Sequence, residues 1–114
     1  MTTYVDLPLD LSPLTEPEYD AELSLADRFE LFHAANPHVA DAFEALAAEW
    51  LARHPRVGMK AIAEAIRWRS GIETVGEPWR INNNHVAFYA RLLIARRPEW
   101  ADRIQTRKAC ADTS

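Results

Sequence analysis

Apolar residues recur along the middle of this chain at spacings of three and four, and Asn-Pro and His-Pro pairs cut the runs into segments. That punctuation restricts the chain to short amphipathic helices, because one face of a 3.6-residue period is apolar and a proline ring cannot continue the turn before it. Ser24 supplies an N-cap, with Asp27 three residues on, and Leu25, Phe29 and Phe32 then fall on one face. Asn36-Pro37 ends this helix and begins the next, Asn as the cap and Pro at the first helical position. Val39, Phe43, Leu46 and Trp50 form the second stripe, which His54-Pro55 stops.

A third helix is expected from about Gly58 to Arg69. Met59, Ile62, Ala63 and Ile66 cluster on one face, Lys60, Glu64 and Arg67 on another, and Ser70-Gly71 is the stop signal. Between Ile72 and Ile81, Gly76 and Pro78 interrupt two β-prone runs, so a small hairpin is expected, with Pro78 confining the second run to an edge. Asn82, Asn83 and Asn84 offer a cap for a fourth helix through Arg97. Val86, Tyr89, Ala90 and Leu93 form its inner face, and Phe88 and Leu92 a second apolar face, which predicts a central position. Pro98 starts a last short helix with Trp100 and Ile104 four apart. The expected fold class is mainly α: one compact domain of four to five helices with a small β-hairpin, in the order of a winged helix-turn-helix.

Charge divides the chain by position. Residues 1–30 carry a net −7, residues 31–66 a net −1 and residues 67–114 a net +4, within a total of −4. Residues 1–23 hold Pro8, Pro13 and Pro17 among acids and read as an arm, disordered or draped on the body, with Leu7, Leu9, Leu11 and Leu14 available to tack it down. Residues 24–108 are the expected helical domain and 109–114 a tail. No apolar stretch is long enough to span a bilayer, and no basic-then-apolar segment opens the sequence. The single cysteine, Cys110, has no partner for an internal disulfide, so the expected setting is a reducing, cytoplasmic one.

A basic C-terminal half attracts anions, of which nucleic acid is the commonest large one. In the winged reading the third helix enters the major groove of double-stranded DNA, with Lys60, Arg67 and Arg69 on phosphates or base edges and Trp79 and Arg80 on the wing. The plainer reading of the same residues is helix-surface ion pairing of Glu64 with Lys60 and Arg67, each pair worth about 0.2–0.5 kcal/mol. The fourth helix offers another surface: Asn84 and Arg91 are two turns apart with Ala87 between, and such side chains suit adenine and guanine. One of the asparagines is also expected to cap the helix, and Arg91 has a structural alternative in bonding the acidic arm. Arg103 and Arg107, four apart, make a phosphate patch or a solvated face, beside Arg96, Arg97 and Lys108.

Catalysis has little support. His33, His38, His54 and His85 lack metal-ligand spacing, the three glycines form no phosphate loop, and no serine sits in a nucleophile elbow. Asp41 and Glu44 are expected on an exposed helix face as solubilising carboxylates. The expectation is a non-enzymatic protein with no cofactor and no metal.

The pieces Phe29-x-x-Phe32, Asn36-Pro37-x-Val39, Glu64-x-x-Arg67-Trp68, Ile81-Asn82-Asn83-Asn84 and Tyr89-Ala90-Arg91-Leu92, in this order, resemble a family of small proteins encoded by bacteriophages and prophages. The resemblance covers about residues 25–107 and leaves the acidic arm outside. The family has no assigned activity, so the resemblance implies a setting, a phage genome acting in a bacterial cytoplasm. Two functions suit it: a DNA-binding or regulatory protein, which as a helix-turn-helix module often works as a homodimer, and an accessory module that binds a host or phage protein. The second predicts an exposed apolar patch, around Trp68, Trp79 and Trp100. Trp68 lies opposite the Met59/Ile62/Ile66 stripe and is expected to pack under the fourth helix or the hairpin. A third reading, an acidic arm mimicking DNA, is opposed by the small net charge and by the arm's prolines.

Overall fold

The structure is a computed structural model, described here over residues 9–73 and 79–105. Four α-helices carry the described residues: α1 (Leu25–Ala35), α2 (Pro37–Leu51), α3 (Met59–Glu73) and α4 (Asn83–Arg96), with a 3-10 turn at Pro98–Trp100. Two short strands, β1 (Val57–Gly58) and β2 (Ile104–Gln105), pair in parallel with Val57 opposite Ile104 and Gly58 opposite Gln105. Among the described residues no helix is long and apolar enough to cross a membrane.

Two helix starts follow from side-chain caps. Ser24 Oγ accepts the backbone N–H of Asp27, 3.1 Å away, and so satisfies one of the donors left over at the start of α1. Asn82 Oδ1 does the same for Asn84 N–H at 2.8 Å at the start of α4. Asn36 departs from expectation: its side chain makes no capping bond to α2. It is buried and turned onto the arm instead, where Oδ1 accepts Thr15 N–H at 2.6 Å and Nδ2 donates to the carbonyls of Thr15 and Phe32 at 2.7 and 3.0 Å. Pro37 at the start of α2 lowers the demand for a cap, since it brings no N–H.

That bond, with His38 Nε2 donating to the Ser12 carbonyl at 2.9 Å, lays the arm against the helices. Leu9, Leu11 and Leu14 pack on the core; Leu7 lies outside the described residues. Helix α4 is central, packing on α1, α2 and α3. Its Tyr89 sits edge-on to Phe29 (centroids 4.8 Å apart) and stacks on Phe43 (4.6 Å), joining three helices at one ring. His85 takes the buried place expected of Val86, which is half-buried.

Three elements differ from the sequence reading. Helix α3 runs through Ser70-Gly71 to Glu73. Ser70 is buried; its hydroxyl donates back to the Arg67 carbonyl at 2.9 Å and accepts Trp79 N–H at 2.8 Å, so the residue expected to end the helix pins the following chain to it. The hairpin expected over 72–81 begins on two helical residues, Ile72 and Glu73; Trp79–Ile81 are irregular and residues 74–78 lie outside the described residues. Strand pairing occurs elsewhere, between β1 and β2, so Ile104 belongs to a strand and not to a last helix.

Candidate interaction groove

The C-terminal half of α2 and the N-terminal half of α3 splay apart around β1 and leave a groove of about 470 Å³ between them. Leu46, Trp50, Val57, Ala61, Ile62 and Ala65 line it, with Gly58 beside them and Glu49, Arg53 and His54 at its edge. Trp50 forms one wall. The α2 stripe predicts it in the core, but it is 49 % exposed. Its ring stacks on His54 (centroids 4.0 Å apart) and its Nε1 donates to the Arg56 carbonyl at 2.8 Å, so the indole is held upright by contacts to the turn after α2. A fixed aromatic wall over aliphatic side chains offers dispersion contacts and apolar burial to an incoming group, with little conformational entropy left to lose.

Beyond the groove an exposed apolar row continues along α3. Ala61, Ala65, Trp68 and Ile72 follow one another by four, three and four residues and are all exposed. Trp68 is 70 % and Ile72 62 % exposed, which corrects the expectation that Trp68 packs under a neighbour. Trp79 and Trp100 are buried, so the apolar patch expected around the three tryptophans is centred on Trp50 and Trp68.

The predicted cations divide into several environments. Lys60 and Arg67 are exposed on α3 and both face Glu64, at 4.0 and 2.5 Å. Arg69 was expected to reach phosphates and is 8 % exposed, its Nε donating to Glu73 at 2.6 Å; the turn of α3 that carries it faces the core. Arg103 was expected in a phosphate patch. Its guanidinium instead donates to three backbone carbonyls at and just after the end of α2: Leu51 at 2.8 Å, His54 at 2.9 Å and Pro55 at 2.9 Å. A helix end has carbonyls without intrahelical donors, and a planar fork of N–H groups is suited to gather them. Arg80, Asn84 and Arg91 are exposed, the last with its guanidinium 5.1 Å from the centre of the Phe88 ring. Arg107 lies outside the described residues.

Glu44, read from sequence as solubilising, is a clamp. It accepts Arg96 at 2.8 Å and Arg97 at 2.9 Å, while Asp41 accepts Arg96 at 3.2 Å, so α2 and α4 are tied by two cations that seemed to belong to a C-terminal basic cluster. Burial pushes the Glu44 carboxyl up, but the bonds from Arg96 and Arg97 outweigh it and hold the group below the usual carboxylate range.

Comparison with protein-family models, curated proteins and solved structures finds no match for this chain. The groove and the seam on α3 are legible in the sequence only as a second apolar row on a helix whose first row, Met59/Ile62/Ile66, fills the core. The 4-3-4 spacing of Ala61, Ala65, Trp68 and Ile72 is the signal, and the small alanines make it easy to pass over.

Proposed function

We propose that this chain is a non-enzymatic protein-interaction module whose docking site is the groove between α2 and α3. One observation carries the reading: an open apolar groove of about 470 Å³ is walled by a tryptophan that the fold holds half exposed. Burying a large side chain recovers about 1.5–3 kcal/mol, and leaving one exposed forgoes that. Tryptophan is also the residue most enriched where binding energy concentrates. In the bacteriophage setting that the resemblance implies, the partner is a host or phage protein in the bacterial cytoplasm.

The test is site-specific photocrosslinking. A benzophenone side chain at Ala61, in the groove, is compared with one at Glu30, exposed on α1, in the bacterium that carries the gene. A discrete adduct from position 61 that is missing from position 30 supports the reading. Identical adducts from both, or none from position 61, count against it.

A second reading, binding to double-stranded DNA, is favoured by Asn84 and Arg91, which stand exposed two turns apart on α4. It is weakened by the engagement of Arg103 with backbone carbonyls and the burial of Arg69. Its winged helix-turn-helix form takes α2 and α3 as the pair and needs a wing in the segment that begins with helical Ile72 and Glu73. Anisotropy of labelled duplex DNA over a salt series tests it: a steep loss of affinity with salt, reduced by Arg91→Ala, is the positive result.

A further inference from the structure

We infer that the occupant of this face is an amphipathic helix of a partner protein, laid along α3 with its apolar seam on Ala61, Ala65, Trp68 and Ile72 and with carboxylates flanking that seam. The inference rests on the interaction-module reading and specifies its partner.

Length and shape come first. The seam repeats at the spacing by which helices interlock side by side, and from Ala61 to Ile72 it extends about 16 Å at 1.5 Å per residue. A single pocket suits one side chain; a straight row of three turns suits another rod. Ala61 and Ala65 have almost no side chain, so a partner backbone can approach α3 closely over its first two turns. Trp50 then rises on one side and Trp68 stands further along as the second anchor. This is the arrangement of helix-in-groove recognition, where a few apolar anchors seat into a preformed trough.

Charge then selects the partner. The chain as a whole is negative at −4, yet the border of this face is positive. Arg53, Arg56, Lys60, Arg67 and the largely buried Arg69 outnumber Glu49, Glu64 and Glu73 there. All three carboxylates are already answered, Glu49 by Arg53 at 2.7 Å, Glu64 by Arg67 at 2.5 Å with Lys60 at 4.0 Å, and Glu73 by Arg69 at 2.6 Å. The surplus is therefore cationic and calls for carboxylates on the partner. A second copy of this chain would bring like borders together, and the chain's own Leu9, Leu11 and Leu14 are already packed on the core.

The experiment is selection from a display library of helical peptides, about 16 residues long, randomised in sequence and panned against the full chain. Ala65→Arg, which fills the seam at an exposed site, is the counter-selection target, and Trp68→Ala is the second variant. Both are expected to keep the wild-type urea midpoint, which verifies that they fold. The expected result is enrichment of peptides with an apolar i, i+4, i+7, i+11 row flanked by Asp and Glu. Their affinity falls about tenfold or more with Trp68→Ala, is lost with Ala65→Arg, and weakens with salt. Enrichment of apolar helices with neutral or basic flanks overturns the inference and leaves the module reading standing. So does a homodimer in sedimentation velocity that Ala65→Arg abolishes, which assigns the face to a second copy. No enrichment over the Ala65→Arg control overturns the inference, and it overturns the module reading as well only if crosslinking from position 61 is also silent.

Discussion

Asn36 and Thr15 are joined by two hydrogen bonds in opposite directions, the side-chain amide of one serving as a backbone partner for the other, 21 residues earlier in the chain. The amide thereby imitates a rung of β-sheet pairing in a mainly helical protein, and it fastens the arm at the corner between α1 and α2. Asn36→Ala removes both bonds and leaves Thr15 N–H and C=O without this partner, at an expected cost of about 1–3 kcal/mol. Asn36→Asp separates the two halves of the interaction: it keeps the acceptor for Thr15 N–H but sets a carboxylate oxygen against the carbonyls of Thr15 and Phe32. It is expected to destabilise at least as much as alanine. Urea midpoints measure both, and amide exchange over residues 9–23 rises with either substitution if the arm is released.

Arg103 closes the end of α2 by donating to three carbonyls, and this links the last strand to the edge of the groove. Arg103→Ala is expected to cost about 1–3 kcal/mol, because charge-assisted bonds are lost together with the closure of the helix end. Arg103→Lys recovers only part of this, since an ammonium lacks the planar fork that spans three acceptors. Thermal unfolding of the two variants orders them wild type, Lys, Ala. Equal stability of all three would show that the carbonyls are satisfied by water at no cost.

His85 is 4 % exposed, edge-on to Phe29 at 5.6 Å and tilted against Phe32 at 5.3 Å. Burial disfavours the imidazolium and pushes its pKa below the usual histidine value. The unfolded chain therefore takes up this proton at a higher pH than the folded one, so the stability linked to His85 is full above about pH 6.5, the ordinary value, and is lost as pH falls below it, until the folded form also protonates. Urea midpoints measured from pH 8 to pH 5 are expected to fall for the wild type. His85→Phe should flatten that limb; an unchanged slope would assign the acid sensitivity to other groups.

Trp68 and Trp50 are both exposed, yet they answer differently to truncation. Trp68→Ala is expected to leave stability within about 0.5 kcal/mol, because the side chain stands mainly in solvent. Trp50→Ala is expected to destabilise more, since it loses the stack on His54 and the bond to the Arg56 carbonyl that hold the turn after α2. Chemical denaturation of each variant checks the pair. A large loss with Trp68→Ala would place that ring in the folded core and remove it from the proposed docking face.

Local chemistry in the sequence determined the starts of α1 and α4, the Asn-Pro boundary between α1 and α2, and the core-facing stripes of Phe29/Phe32, Val39/Phe43/Leu46 and Met59/Ile62/Ile66. Caps, proline and helical period act within a few residues, and so they are readable along the chain. Tertiary structure decided everything that depended on a distant partner. Ser70-Gly71 did not end α3, and the serine hydroxyl instead receives Trp79 N–H from the chain that follows. Arg103 found the end of α2, and Arg96 and Arg97 found Glu44, across some fifty residues. Trp68 was left outside, because the core has room for one row of α3 and the Met59/Ile62/Ile66 row fills it. A cation or an indole carries no mark of its eventual neighbour. Whether it caps a helix, clamps two helices or waits for a partner is settled by which surfaces meet when the helices pack.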